Sequence, residues 1–236
     1  MAEVGKLDGH VAVVTGASRG IGRAIARVFA KEGARVAGCS RTISDGGFLD
    51  DLSAEERYRC HHAMCDVRLA EDVTKLRDEV VASLGSPDIL VNNAGIVARA
   101  PVAELSVETW ADVLASNLTG TFLVIQAFLP AMKARRGGRI INMSSIGGRM
   151  GTPLLSAYCA AKHGVVGLVR SLAEELRADG IVVNAICPGS VDTEMLRQGM
   201  PGASPRMTPE DVAAVALFLA SDAPQALTGA CIDVFG

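Results

Sequence analysis

His10-Val-Ala-Val-Val-Thr15-Gly16-Ala17-Ser18-Arg19-Gly20-Ile21-Gly22 opens with a short apolar run and closes in a glycine-rich turn. The apolar run reads as a strand buried on both faces, as in a parallel sheet. Arg23 to Glu32 then repeats apolar residues at helical intervals (Ile25, Val28, Phe29), and Gly33 ends the pattern. Strand, glycine turn and helix in that order form the unit that grips a dinucleotide. The glycines let the backbone turn tightly beside a pyrophosphate, and the helix N-terminus offers it N–H groups. The spacing here is Gly-x3-Gly-x-Gly rather than the more familiar Gly-x-Gly-x2-Gly.

The unit repeats outward along the chain. Strands are predicted at 34–40, 58–67, 88–92, 138–145, 181–187 and 230–235, with helices at 69–84, 114–135, 156–178 and 208–221. Val73, Leu76, Val80 and Val81 are assigned to the inner face of the 69–84 helix, and Ser106 and Thr208 read as N-caps. Segment 190–209, rich in Gly, Pro and Met, reads as irregular. No linker, repeat or low-complexity tract interrupts the alternation. The expectation is one α/β domain over 1–236, doubly wound (Rossmann) on a seven-stranded parallel sheet, with 190–209 as a lid over the substrate.

Bulk properties narrow the function. The chain has 236 residues, 49% of them hydrophobic, enough for a substantial core. A net charge of -3 gives no basic footprint for nucleic acid or an anionic membrane surface, so neither partner is expected. The most apolar segment, 121–132, is too short to span a bilayer and contains Pro130. MAEVGKLDGH carries charge and no apolar stretch, so no signal peptide is expected. The six cysteines, at 39, 60, 65, 159, 187 and 231, form no regular framework, which suits reduced thiols in the cytoplasm or an organelle matrix. Cys60-His61-His62-x2-Cys65 has metal-binding residue types. Strand alternation sends them to opposite faces, however, and no second cluster follows, so no metal is expected.

The ends of the strands hold the candidate site residues. After the second strand come Ser40 and Arg41 with no carboxylate, and Arg19 lies within the glycine turn. An acid at this place suits a free ribose 2′-hydroxyl, whereas arginine suits a 2′-phosphate, so NADP(H) is expected. Asp66, at the end of the third strand, is a candidate for the adenine amine. Gly95 permits close approach to the cofactor, and Asn92 reads as a hydrogen-bonding link between strands. The fifth strand ends in Ser144 and Ser145. Tyr158 and Lys162 stand four apart, on one face of the next helix. An ammonium beside a phenol favours the phenolate, which would make Tyr158 a proton donor and acceptor near neutral pH. Spacing alone does not separate this from a packed tyrosine with a surface lysine. Asn117 is out of place inside a helix unless it has a task.

Four motifs taken together resemble the short-chain dehydrogenase/reductases in their compact form, over nearly the whole chain. They are Thr15-Gly-Ala-Ser-Arg-Gly-Ile-Gly22, Asn92-Asn-Ala-Gly95, Tyr158-x3-Lys162 and Pro188-Gly189, in the family's order. Ser145 precedes Tyr158 by thirteen residues, the family's interval, which favours it over Ser144. The resemblance implies that Tyr158 is the general acid or base, that Lys162 lowers its pKa and holds the nicotinamide ribose, and that Ser145 hydrogen-bonds the substrate oxygen. It implies that Asn117 keeps a water linking Lys162 to solvent. It implies that Gly16, Ser18, Gly20, Ile21 and Gly22 cradle the pyrophosphate and that Asp66 and Val67 meet adenine. Asn93, Ala94 and Gly95 would lie along the cofactor near its ribose, and Pro188, Gly189 and Thr193 on its nicotinamide side.

Within the family, Pro188-Gly-x3-Thr193 and Phe218-Leu-Ala-Ser-Asp222 are similar to the 3-oxoacyl carrier-protein reductases of fatty acid biosynthesis. Segment 193–210 is shorter than is usual for that group. Arg136 matches a basic carrier-docking position, whereas Asp179 stands where a second cation is expected. The resemblance therefore implies an NADPH-dependent reductase of a 3-oxoacyl thioester or similar β-keto substrate. A dehydrogenase or reductase of free sugars, steroids, quinones or xenobiotics is the alternative. A dinucleotide-sensing binding protein is a third reading, opposed by the intact Ser145, Tyr158 and Lys162. The helices at 114–135 and 156–178 carry more apolar surface than one sheet face needs, and the resemblance, in which these helices often pair between subunits, implies a homotetramer, with a homodimer as alternative.

Overall fold

A computed structural model describes residues 4–43, 47–50 and 52–236. In chain order the elements are β1 (Val11–Thr15), α1 (Gly20–Lys31), β2 (Arg35–Ser40), α2 (Ala54–Tyr58), β3 (Cys60–Met64), α3 (Ala70–Ser83), β4 (Ile89–Asn92) and α4 (Val107–Leu114). These are followed by α5 (Gly120–Arg135), β5 (Gly138–Met143), α6 (Ser156–Glu175), β6 (Ile181–Pro188), α7 (Glu194–Gly199), α8 (Pro209–Ala220) and β7 (Cys231–Val234). Among the described residues the strands form one seven-stranded sheet in the order β3-β2-β1-β4-β5-β6-β7. Every strand pairing among the described residues is parallel. The single doubly wound domain expected from the alternation is the observed one.

Two apolar layers sandwich the sheet. On one face Phe29, Ile25, Val212 and Leu219 of α1 and α8 pack against Val14, Val36 and Val91. On the other, Leu76, Phe128, Met132 and Val169 of α3, α5 and α6 pack against Val13, Leu90, Ile140 and Val183. The order reverses between β1 and β4, because β2 and β3 build outward on one side and β5 to β7 on the other. That reversal opens a crevice at the carboxyl edge, the usual ligand position in such sheets.

Four local readings differ from expectation. Tyr58 is exposed at the end of α2 rather than starting a strand, because Ser53 and Glu56 form a reciprocal capping box that seeds a helical turn. Val81 is exposed, so the inner stripe of α3 is Val73, Leu76 and Val80 alone. Segment 190–209 contains α7, begun by the Thr193 hydroxyl, which accepts from the Leu196 N–H at 3.2 Å. The helix expected from residue 114 begins as α4 at Val107 and runs through one π turn, Ala115–Thr119, into α5. This run, 107–135, has the length and apolarity to cross a bilayer. Its Val124, Ile125, Phe128 and Met132 are buried in the core of the domain. The Asn92 amide N–H donates to Asn142 Oδ1 at 3.0 Å, the strand-to-strand link predicted for it.

Candidate active site

The crevice is a cleft of about 1140 Å³ running across the carboxyl ends of β1, β2, β4, β5 and β6. At its centre β1 ends in Thr15, a buried residue. Its hydroxyl donates to Val91 O at 3.4 Å and accepts the N–H groups of Asn93 and Ala94 at 3.0 Å each. These bonds clamp the glycine turn to the end of β4. Gly16 follows with φ 69°, and a Cβ there would lie 2.8 Å from Asn93 Nδ2 and 2.9 Å from Ala94 Cα. Only glycine fits both the space and the left-handed backbone. α1 begins directly after Arg19, which is extended and provides no side-chain cap, so the first N–H groups of the helix face the cleft.

Gly16, Ser18, Arg19, Gly20 and Ile21 all line the cleft, and Gly22 does not. Gly22 is buried inside the turn, where a Cβ would collide with Gly16 O and Asn93 Nδ2. It is a packing glycine that lets α1 close on β1. Ala94 and Gly95 line the cleft as expected. Asn93 does too, but its amide donates to Thr15 O at 3.0 Å and Gly16 O at 3.2 Å, so its side chain shapes the turn.

At the outer end the cleft is bordered by Ser40, Arg41, Asp66 and Val67. Ser40 Oγ donates to Thr42 O at 2.8 Å and lies 2.9 Å from His62 Nε2. Asp66 is gripped by Arg68, with Nη2 at 2.6 Å and Nε at 3.0 Å, and this neighbour holds its carboxyl below the usual range. The carboxylate predicted to meet adenine is thus already engaged, while the residue still forms the cleft wall. Arg19 reaches across the cleft to Glu194 at 2.5 Å. Arg23 and Arg27 also line this end and were absent from the predicted set. Their spacing after Arg19, one turn and two turns along α1, was the available signal.

The inner end holds Ser145, Tyr158 and Lys162. Ser145 lies just beyond β5, and its hydroxyl oxygen accepts the Gly147 N–H at 3.0 Å. Ser144 instead points inward and donates to Lys162 O at 3.0 Å, fastening α6 to the sheet. Lys162 is 4% exposed, its ammonium donates to Met143 O at 2.8 Å, and it lies 5.7 Å from the centre of the Tyr158 ring. Burial pushes the lysine down to about 8. Burial also raises the Tyr158 phenol above its ordinary value, and a hydrogen bond with Ser145 offsets this in part. The expected lowering of the phenol by Lys162 is therefore not met in this state. The ammonium is turned toward the Met143 carbonyl, and desolvation dominates.

Asn117 lies in the π turn, fully buried behind Gly95 rather than in the cleft. Its amide donates to Ile96 O at 2.9 Å and Val113 O at 2.8 Å. Its Oδ1 is buried with no hydrogen-bond partner among the described residues. A Cβ on Gly95 would press on that oxygen and stand 3.6 Å from Lys162 Nζ, so Asn117, Gly95 and Lys162 meet at one point. An unpartnered buried acceptor is a place for an ordered water.

Pro188, Gly189 and Thr193 line the remaining wall. The Thr193 hydroxyl is engaged locally, donating to Val191 O at 3.2 Å while it caps α7. Ile96, Val97, Leu155, Met195, Leu196 and Met200 also line the cleft, apolar residues that the motifs did not announce, and Ile96 and Tyr158 pack against the same small core cluster. No cluster of metal-ligand residues exists among the described residues. All six cysteines are unpaired thiols there.

A family model described as short chain dehydrogenase matches residues 10–202. The chain is 40% identical to a D-threitol dehydrogenase of Mycolicibacterium smegmatis, over 98% of this chain and 93% of that protein. It is 35% identical to a 3-oxoacyl-(acyl-carrier-protein) reductase of Vibrio cholerae, covering 98% and 97% of the two chains. The crystal structure of a gluconate 5-dehydrogenase from Burkholderia cenocepacia, in complex with NADP and tartrate, superposes with a TM-score of 0.89 at 33% identity. That match covers 98% of this chain and 95% of the other.

Proposed function

The chain belongs to the short-chain dehydrogenase family, and from that premise we propose that it is an NADPH-dependent reductase of a 3-oxoacyl thioester or similar β-keto compound. The observation that carries the reaction is the meeting of Ser145, Tyr158 and the buried Lys162 at the inner end of a single cleft. NADP(H) fits the rest of that cleft. Gly16 has no room for a side chain, the first turn of α1 is uncapped, and Arg19 and Arg41 are cations on the cleft wall that would suit a 2′-phosphate. The solved relative with NADP supports the same cofactor.

Bound there, the nicotinamide supplies the hydride. The protein positions the ketone and supplies the proton. Ser145 Oγ accepts from Gly147 N–H, which leaves its own proton to donate to the carbonyl oxygen as negative charge builds. Tyr158, kept neutral by burial, gives its phenolic proton to the same oxygen. Lys162, still largely protonated at neutral pH, stabilises the phenolate left behind. A water held by Asn117 Oδ1 returns the proton by way of Lys162. A phenol that favours its neutral form suits the reductive direction.

The apolar wall of Ile96, Val97, Leu155, Met195, Leu196 and Met200 suits an aliphatic chain better than a polyhydroxylated one. Segment 190–209, with α7, acts as the lid. The D-threitol dehydrogenase relative favours a second reading, oxidation of a free polyol. One panel following NADPH separates them: a carrier-bound 3-oxoacyl chain, a small thioester mimic, and free ketones and polyols. Reduction of the thioesters is the expected result. Activity on free ketones and polyols only would install the second reading, and dinucleotide binding with no turnover would point to a sensing protein.

A homotetramer belongs to the same proposal, with a dimer as alternative. It is supported by exposed Trp110 and Phe122 on the α4–α5 run and Phe218 on α8. A monomer mass by light scattering would reject both. The cytoplasm is the proposed location, supported by the unpaired thiols.

A further inference from the structure

Arg19 and Glu194 join the two walls of the cleft. Arg19 precedes the first turn of α1, and Glu194 is the first residue of α7. Their side chains meet at 2.5 Å, and the other Glu194 oxygen accepts from Gln198 Nε2 at 2.9 Å. Next to this pair Thr193 packs on Gly20, where a Cβ would stand 3.3 Å from Thr193 Cγ2. The lid helix therefore touches the glycine turn at two adjacent points, one apolar and one ionic. The ionic one is 70% exposed on the Arg19 side and 50% on the Glu194 side, so water and competing anions reach it. Exposed pairs of this kind are weak and exchange readily.

Arg19 is also one of the two arginines that the proposed function assigns to the cofactor 2′-phosphate. A guanidinium fork forms its good bidentate geometry with one anion at a time. We propose that Glu194 is a specificity-determining residue, which competes with the 2′-phosphate for Arg19 and so sets how strongly NADP(H) is favoured over NAD(H). The inference rests on the NADP(H) reading. A dinucleotide without the 2′-phosphate has nothing to offer Arg19, and α7 stays strapped to the turn. One that carries it exchanges the Glu194 partner for phosphate and unfastens the ionic half of the strap. Glu194 acts through Arg19 and restrains the cofactor preference instead of creating it.

The test is calorimetric binding of NADPH and NADH to the wild type, Glu194→Gln, Arg19→Ala and the double variant, with melting temperatures to confirm folding. Glu194→Gln should tighten NADPH by about two- to fivefold, the scale of one exposed ion pair, and leave NADH unchanged. In the Arg19→Ala background the Glu194 substitution should do nothing to either. An equal loss for both dinucleotides in Glu194→Gln would make the pair a simple strap and overturn the proposal. So would an unchanged NADPH affinity, or a gain that survives in Arg19→Ala. Wild-type preference for NADH would instead fail the cofactor reading itself, which the wild-type data reveal before any variant is compared.

Discussion

β1 and β5 both end at the cleft, and both pass through a glycine-containing turn toward a helix, yet the two ends are built for different work. After β1 the turn is nearly bare backbone: Gly16 at φ 69°, an uncapped α1, and Thr15 clamping the strand beneath. After β5 the turn is bare as well, with Gly147 and Gly148. Here the glycines make room for side chains: a Cβ on Gly147 would stand 3.2 Å from the Tyr158 ring, and one on Gly148 would strike Ser144 Oγ. The first end leaves the opening N–H groups of α1 without a side-chain cap at the cleft. The second end packs an ammonium and a phenol close to the sheet, where desolvation tunes both. Binding by backbone is insensitive to pH, whereas chemistry by buried side chains is not. Substitutions at the two ends should accordingly fail in different ways.

The largest failure should come from the second end. Tyr158→Phe removes the proton donor and leaves the ring packing intact. It should lower kcat for ketone reduction by about 10²–10⁴-fold, with NADPH affinity held within about twofold. Steady-state kinetics and fluorescence titration of NADPH check the two halves. Unchanged turnover would remove Tyr158 from the mechanism.

Gly22→Ala should break the first end. The new methyl meets Gly16 O, which is backbone and cannot swing aside, and the amide of Asn93. Overpacking of this kind costs about 1–3 kcal/mol, which lowers the melting temperature by about 2–4 °C per kcal/mol in a chain of this size. The shifted turn should also weaken NADPH binding while Tyr158 and Lys162 stay in place. Loss of stability with full cofactor affinity would show that the turn tolerates the displacement.

Gly22 also shows what the sequence could and could not say. Its motif located the glycine turn between β1 and α1, and the layer order followed from strand–helix alternation. A motif, however, does not separate glycines that face a ligand from glycines that face another strand. Gly16 and Gly22 look alike in sequence, and only the positions of Asn93 and Gly16 O tell them apart. Ser145 is favoured over Ser144 by interval alone; in the structure both border the cleft, but Ser144 is buried with its hydroxyl donating to Lys162 O, whereas the Ser145 oxygen accepts from Gly147 N–H and its proton is not engaged in that bond. Ionisation was the least legible property. Tyr158 and Lys162 predict a lowered phenol when charge alone is considered, because burial depends on how α6 packs, which spacing does not encode. The apolar wall was hidden for a similar reason, since Ile96, Leu155 and Met200 come from three separated segments.

Lys162→Met should separate stability from function. The lysine is lowered from 10.5 to about 8, so the folded protein holds its proton against burial. At pH 7 that strain is roughly 3 kcal/mol. Methionine removes it and forfeits the bond to Met143 O, worth about 1 kcal/mol, for a net gain of about 2 kcal/mol and a higher melting temperature. Reductase activity should collapse in the same variant. The unfolded state binds more protons than the folded state between about pH 8 and 10.5, so wild-type stability from this group rises with pH across that window. The gap between variant and wild type should therefore narrow from pH 8 upward. A less stable Lys162→Met protein at pH 7 would mean that the ammonium is better solvated than its 4% exposure implies.

The smallest effect is the pH profile of the reductive reaction, and it tests whether only the β5 end titrates. Tyr158 is raised above its ordinary value of 10, so it remains a competent donor throughout the neutral range. Lys162 loses its charge near pH 8. Above that pH the phenolate formed in the reaction loses its stabilising neighbour, so kcat/KM for the ketone should be flat below about pH 7. It should fall by up to about tenfold per unit above pH 8. Lys162 would also hold the nicotinamide ribose, so NADPH affinity should slip only slightly over the same range, the pyrophosphate being held by backbone N–H groups at the β1 turn. A limb in affinity as steep as the limb in kcat/KM would mean that titrating side chains, not backbone, carry the cofactor. The backbone-against-side-chain distinction between the two turns would then fail.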